Sequence, residues 1–167
     1  METLSLDSAA LRAAFAHFPS GVIAVCADTE TERIGMAAST FMPVSLDPPL
    51  VAFCVQNTSL TWPRLAAAPR LGISVLSAAH GGIVRTLAAK DGDRFAGVET
   101  ETLDGGALLI ADAVVAMDVT VTDQIRAGDH TIVVMQINDL HAASEPSSAS
   151  EPIVFHRSTF RTLTTTS

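Results

Sequence analysis

Asn57, Ser59 and Thr61 bunch amide and hydroxyl groups at alternating spacing just ahead of Trp62 and Pro63, where a helix can begin. Unpaired N–H groups and the positive end of the helix dipole favour an anion there, so the cluster suits a phosphate. Ordinary N-capping is the rival use. His130 follows Gly128 and Asp129 at a chain turn, where an imidazole is either bonded to its own loop or presented to a ligand. Asp91 and Asp93 are close in sequence, but flanked by glycine they read as a solvated turn rather than an acid–base pair. His17, His80, His130, His141 and His156 have no i, i+4 partners and no C-x-x-C companions, which leaves a protein-built zinc site unsupported. There is no phosphate-binding G-x-x-x-x-G-K-[ST] loop and no G-x-S-x-G elbow. The side chains offer no obvious nucleophile, and an organic cofactor is the expected source of the reaction chemistry.

The elements that position these residues read as short strands and shorter helices. Asp7 can cap an amphipathic helix carrying Leu11, Phe15 and Phe18, ended by Pro19 and Gly21. VIAVCA (22–27), IGMAAST (34–40), LVAFCV (50–55) and GISVLS (72–77) are β-rich runs separated by turn residues. Ser59 or Thr61 can cap a helix with Pro63 in its first turn, and a second helical stretch covers roughly 79–90. Residues 91–106 read as a surface loop, being polar and punctuated by glycine. In 113–123 Val115, Met117, Val119 and Val121 alternate with Asp118, Thr120 and Thr122, which predicts a half-buried strand. Residues 131–140 return as its hairpin partner, 144–152 form a serine-rich loop, and IVFH (153–156) is a last strand. Strands joined largely by turns predict an antiparallel β-barrel, and the missing G-x-G-x-x-G argues against a doubly wound sheet.

The chain has 167 residues, 48% hydrophobic and 17% charged, which fits one globular domain over 1–167. Its net charge of −8 and scattered basic residues exclude a nucleic-acid surface. No apolar run is long enough to span a bilayer and the first residues lack a secretory pattern, so a cytoplasmic protein is expected. Cys26 and Cys54 lie in separate apolar runs and read as buried free thiols. The low charge fraction leaves apolar surface to hide, some of it in a subunit interface.

Two blocks are more specific than any single residue: GMAASTFMPVSLDPPLVAFCVQNTSLTWPRL (35–65) and AGDHTIVVMQI (127–137). With LRAAFAHFPSGVIAV at the start, DRF at 93–95 and VFHRSTFRTL at the end, the chain resembles the short-chain flavin reductases from about Leu11 to Leu163. The resemblance implies a mainly β FMN-binding split barrel with short helices. It implies a homodimer with flavin at the subunit boundary that oxidises NADH or NADPH. The hydride would pass to FMN, or to FAD, and reduced flavin would go to a partner flavin-dependent monooxygenase. A non-catalytic flavin-binding module of the same fold is the alternative.

Carried over by position, Ser39, Thr40 and Phe41 line the flavin ring with Ser45 at the far end of the block, unless the three hydroxyls only cap turns before Pro48. Asn57, Ser59 and Thr61 fall at the flavin phosphate. Arg94 offers a charged fork to phosphate and Phe95 a flat apolar cover, unless Asp93 and Arg94 form surface ion pairs. His130 takes the position that faces the nicotinamide. His156, Arg157 and Phe160 stand where the family often has His-Arg-Gly-x-Tyr, with Ser158 replacing the glycine and the tyrosine hydroxyl absent. Ala37 likewise replaces a common threonine, and Thr40 a common serine.

Overall fold

The structure is a computed structural model and describes residues 3, 5–89, 92–142, 151–161 and 163. Lys90, Asp91 and residues 143–150 of the serine-rich stretch lie outside the described residues. In chain order the elements are α1 (Ser8–Phe15), β1 (Ser20–Gly21), β2 (Ile23–Asp28), β3 (Arg33–Ala38), β4 (Met42–Leu46) and β5 (Pro49–Gln56). Next come α2 (Trp62–Ala66), β6 (Leu71–Val75), a 3-10 turn (Ala78–His80) running into α3 (Gly81–Leu87), β7 (Thr100–Thr102) and β8 (Leu108–Ile110). The long hairpin β9 (Val115–Ala127) and β10 (His130–Ala142) precedes a short one, β11 (Val154–His156) and β12 (Thr159–Arg161).

Seven strands form one antiparallel sheet in the order β3-β2-β6-β9-β10-β5-β4. If flat, its two edges would lie about 29 Å apart at the usual strand spacing. Yet only residues 39–41 join edge strand β3 to edge strand β4, a reach of about 15 Å from Ala38 to Met42. The sheet must therefore roll up, and the expected antiparallel barrel results. Thr40 lies in line with the β4–β5 ladder. Its hydroxyl donates to the Cys54 carbonyl at 3.0 Å and accepts from the Cys54 N–H at 2.9 Å.

Alternation along the strands separates two cores. Ile23, Val25, Phe53, Leu71, Ile73, Val119, Val133 and Met135 fill the barrel, and α2 plugs it with Trp62 and Leu65. Trp62 meets Phe53 edge-on at 5.3 Å and donates through Nε1 to Gln124. Outside the wall, Val22, Ala24 and Cys26 of the β2 region pack under Val84 and Leu87 of α3, Phe95, Leu108 and Ile153. Each fully buried large apolar side chain contributes about 1.5–3 kcal/mol, so this outer layer holds α3 and the 92–98 loop firmly. Burial pushes the Cys26 thiol up to about 12 and keeps it protonated. Cys54 differs from expectation: it points outward from β5 and is half-buried. His80 is buried, accepting at Nδ1 from the Ser77 N–H and meeting the Ala111 carbonyl with Nε2, so its proton sits on Nε2.

The expected strands and helices are present, with five additions. β1, β4, β8 and β12 are strands where the sequence suggested none, and β7 arises inside the expected 91–106 surface loop, pairing with β8. The β7–β8 pair lies over the outer face of β6, which buries Asp118, a position that alternation alone would leave in water. Gly72 makes the crossing possible, since a Cβ there would stand 2.1 Å from the Leu108 carbonyl oxygen. Asp118 pairs with Arg70 at 3.0 Å, and its Oδ1 has no hydrogen-bond partner among the described residues. Removing one member of a buried pair strands the other's charge, so Arg70→Ala should lower stability by about 3 kcal/mol. The double variant Arg70→Ala/Asp118→Asn should recover much of that loss in urea melts.

Candidate functional site

Arg94 reaches back from the loop after α3 across the split in the barrel. Its guanidinium donates to the Gly35 carbonyl of β3 at 2.8 Å and to Thr61 Oγ1, just before α2, at 2.9 Å. One residue earlier, Asp93 Oδ1 accepts from the Phe95 N–H at 2.9 Å, fixing the turn that sends Phe95 into the outer core. Phe95 fits because residue 35 is glycine: a Cβ there would lie 2.7 Å from the Phe95 ring, 2.9 Å from Cys26 Sγ and 3.0 Å from Leu87. Beside this clamp opens a polar cavity of about 370 Å³ lined by Arg33, Arg64 and Arg94 together with Glu32 and Asp93. Arg64 pairs with Glu32, and Arg33 lies 3.8 Å from Asp28. Among the described residues Arg94 has no carboxylate within ion-pair distance and is held by neutral acceptors. Three guanidiniums around one opening suit an anionic group.

Further along β3 an apolar cavity of about 240 Å³ is lined by Val22, Ala37, Ala38, Ser39, Val84, Phe155 and Phe160, with Ala88 at its edge. Phe155 and Phe160 pack at 5.6 Å across the β11–β12 hairpin. The two residues of that hairpin turn, Arg157 and Ser158, have φ of 51° and 60°, the left-handed conformation a tight two-residue turn requires. A non-glycine residue held there costs about 1–2 kcal/mol. Part of that is offset where the Arg157 N–H donates to the Ala16 carbonyl at 2.8 Å, seating the hairpin on the end of α1. His156 is half-buried in β11, and the Arg157 side chain is exposed.

The remaining candidates divide by what their polar atoms already do. Thr40 spends its hydroxyl on Cys54, Ser59 accepts from the Trp62 N–H at 3.1 Å as a helix cap, and Thr61 holds Arg94. Phe41 packs against the barrel core, and Ser45 sits half-buried on β4. Asn57 donates to the Gly128 carbonyl and accepts from Thr131, while its N–H donates to the Asp129 carbonyl at 2.9 Å, which fixes the end of the β9–β10 hairpin. His130 stands on that hairpin end, pairing with Gln56 in register, and lines neither cavity. Its Nδ1 lies 2.8 Å from Asp129 Oδ1. The hydrogen bond from His130 holds the Asp129 carboxyl below its usual range. An ionised carboxylate only accepts, so Nδ1 carries the proton and Nε2 is left to meet a ligand. Arg33, Arg64, Val22, Val84 and Phe155 were not foreseen. Each is a lone side chain in its own segment, and only the fold gathers them.

The rolled antiparallel sheet thus carries an arginine-lined and an aromatic-lined cavity along one strand, β3. The chain belongs to the flavin reductase like domain family, which matches residues 15–164. It is 35% identical to a flavin reductase of Pseudomonas putida over 154 residues, covering 92% of this chain and 88% of that protein. It is 34% identical over 146 residues to an NADH:FMN oxidoreductase of Rhodococcus erythropolis, covering 87% and 76%. Among solved structures, the NADH:FAD oxidoreductase SgcE6 of Streptomyces globisporus, in complex with NAD and FAD fragments, superposes with a TM-score of 0.88 at 32% identity, covering 98% of both chains. Component B of a nitrilotriacetate monooxygenase from Mycobacterium thermoresistibile gives a TM-score of 0.90 at 27% identity, covering 95% and 88%.

Gly35 is the point where clamp and outer core meet. Gly35→Ala should cost about 1–3 kcal/mol, the usual penalty of overpacking, and should loosen Phe95. Denaturant melts and proteolysis of the 92–98 loop check both effects.

Proposed function

We propose that this chain is an NAD(P)H:flavin oxidoreductase that supplies reduced flavin, FMN or FAD, to a partner flavin-dependent monooxygenase. The observation that carries the reading is the pair of cavities along β3: cationic from Arg33 to Gly35, and apolar and aromatic from Ala37 to Ser39. A flavin nucleotide has the same polarity, a charged phosphate at one end and a flat ring at the other. The residues present fit it. Arg94, held by Thr61 and the Gly35 carbonyl and flanked by Arg33 and Arg64, would hold the phosphate. Ser39, Ala37, Phe155 and Phe160 would hold the ring.

The bound flavin supplies the hydride-accepting chemistry. What the chain contributes is alignment and exclusion of water, and no acid or base is required for a transfer between two stacked rings. His130, with Asp129 fixing its tautomer, is proposed to position the nicotinamide through Nε2. The exposed apolar residues support a homodimer completing the site: α1 buries none of its own residues, Phe15 and Phe18 are 70% and 80% exposed, and Leu46 is 96% exposed. No helix of the described residues is long and apolar enough to cross a membrane, in keeping with a proposed cytoplasmic location. One flavin reductase domain over 1–167 is the corresponding domain reading.

Purified protein with FMN should oxidise NADH or NADPH under air, whereas a flavin-binding module without activity would bind FMN and turn nothing over. His130→Ala should keep the FMN Kd and the melting temperature while kcat/KM for the nicotinamide substrate falls tenfold to a hundredfold, about 1–3 kcal/mol. A variant that melts lower and binds FMN poorly at unchanged nicotinamide kinetics would make His130 structural. Arg94→Met should weaken FMN by about 1–3 kcal/mol more than riboflavin, which lacks the phosphate. Equal losses for the two flavins would mean that Arg94 only clamps the split.

A further inference from the structure

Resting on the nicotinamide role given to His130 above, we propose that Asn57 is a positioning residue for nicotinamide use, acting through the hairpin turn that carries His130. That turn has little packing of its own. From Thr122 to Ile132 no side chain is buried, so the end of the β9–β10 hairpin gains little from either core and would open easily if nothing else held it. Its two turn residues are Gly128, whose φ of 65° suits the first position of a tight hairpin turn, and Asp129. β5 stops at Gln56, opposite His130, so the turn overhangs the ladder. Asn57, the next residue, spans the overhang. Its side-chain amide donates to the Gly128 carbonyl at 3.1 Å, its side-chain oxygen accepts from the Thr131 hydroxyl at 2.8 Å, and its N–H donates to the Asp129 carbonyl at 2.9 Å. The residues on both sides of His130 are thereby tied to one residue, while the imidazole itself bonds only to Asp129 among the described residues. Asn57 lines neither the arginine-lined nor the aromatic-lined cavity, which separates it from the proposed phosphate position at Arg94. Transfer between two aligned rings is sensitive to misplacement on the ångström scale, so a loosened turn costs nicotinamide use before it costs flavin binding.

A double-mutant cycle separates this role from a structural one, because two residues that act through one contact are not additive. FMN and riboflavin titrations, nicotinamide kinetics at saturating FMN and thermal melts should be run on the full-length wild type, Asn57→Ala, His130→Ala and the double variant. The expected result is that Asn57→Ala lowers kcat/KM for the preferred nicotinamide nucleotide by about fivefold or more, the scale of one or two lost hydrogen bonds, with both flavin Kd values within about twofold of wild type. In the His130→Ala background the same substitution should change kcat/KM by less than about twofold. Thr131→Val removes one of the two side-chain bonds and keeps the shape, so it should give a smaller loss of the same kind, and it replaces Asn57→Ala in the cycle if that variant melts lower. Unchanged nicotinamide kinetics, or a loss that multiplies with that of His130→Ala, overturns the proposal. FMN affinity lost while riboflavin affinity is kept also overturns it and gives Asn57 to the flavin phosphate. If His130→Ala alone leaves nicotinamide kinetics unchanged, the His130 reading has failed and the proposal falls with it. If wild type oxidises neither NADH nor NADPH with FMN, the reductase reading itself has failed, a result visible before any variant is made.

Discussion

The whole arrangement depends on the three residues that carry the chain from β3 to β4. Because Ser39–Phe41 join opposite edges of a seven-stranded sheet, the sheet has no flat alternative, and residues 33–46 become one bent ribbon pairing first with β2 and then with β5. At the bend the main chain of Thr40 leaves the ladder, and its hydroxyl takes both of the bonds that a strand residue would have made to Cys54. Serine could form the same two bonds with more rotameric freedom. Threonine, β-branched and stiff at χ1, holds them with less entropy to lose.

Rolling the sheet this way leaves β3 with an open edge, and both cavities lie along that strand. An unpaired strand edge presents carbonyls and N–H groups that need partners. Here the Gly35 carbonyl receives Arg94, which also reaches Thr61 on the connection following β5, so one guanidinium spans the split. Charge-assisted bonds to two neutral acceptors orient the guanidinium without neutralising it. The outer core then fixes the loop bearing Arg94: Phe95 is anchored among Cys26, Leu87 and Val84, a contact that depends on the missing Cβ of Gly35. Structural clamp and proposed anion receptor are thus one side chain, positioned by apolar packing one residue away.

Much of this fold was legible because period and turn chemistry agree along β2, β3, β5, β6, β9 and β10. What escaped were short elements, from the two-residue β1 to the five-residue β4, too short to show a period. Asp118 shows a second limit: alternation tells which face of β9 a side chain takes, not whether another layer will cover that face. Of the site residues singled out in the sequence, Ser39, Arg94, Phe95 and Phe160 line the two cavities along β3. The hydroxyls of Thr40 and Ser59 proved to be occupied by the backbone. A sequence displays donors and acceptors but not whether the fold has already satisfied them. Arg33 and Arg64 were invisible for the opposite reason, since their significance is their convergence with Arg94 and not their local setting.

That convergence matters on a chain of net charge −8. Three of its ten Lys and Arg residues line one cavity, while carboxylates dominate elsewhere. At physiological salt, charges more than about 8 Å apart in water are largely screened, so the overall negative charge weakly opposes an approaching anion. Inside a partly enclosed cleft screening is weaker and the nearby guanidiniums prevail. Glu32 and Asp93 on the same cavity temper the attraction, since a phosphate must share Arg64 with Glu32 rather than capture it outright. In the proposed reading, a site built in this way would select a nucleotide anion while limiting how tightly it is held. That balance suits a protein whose bound flavin has to leave once reduced, and it links the local placement of a few charges to the exchange that the proposed function requires.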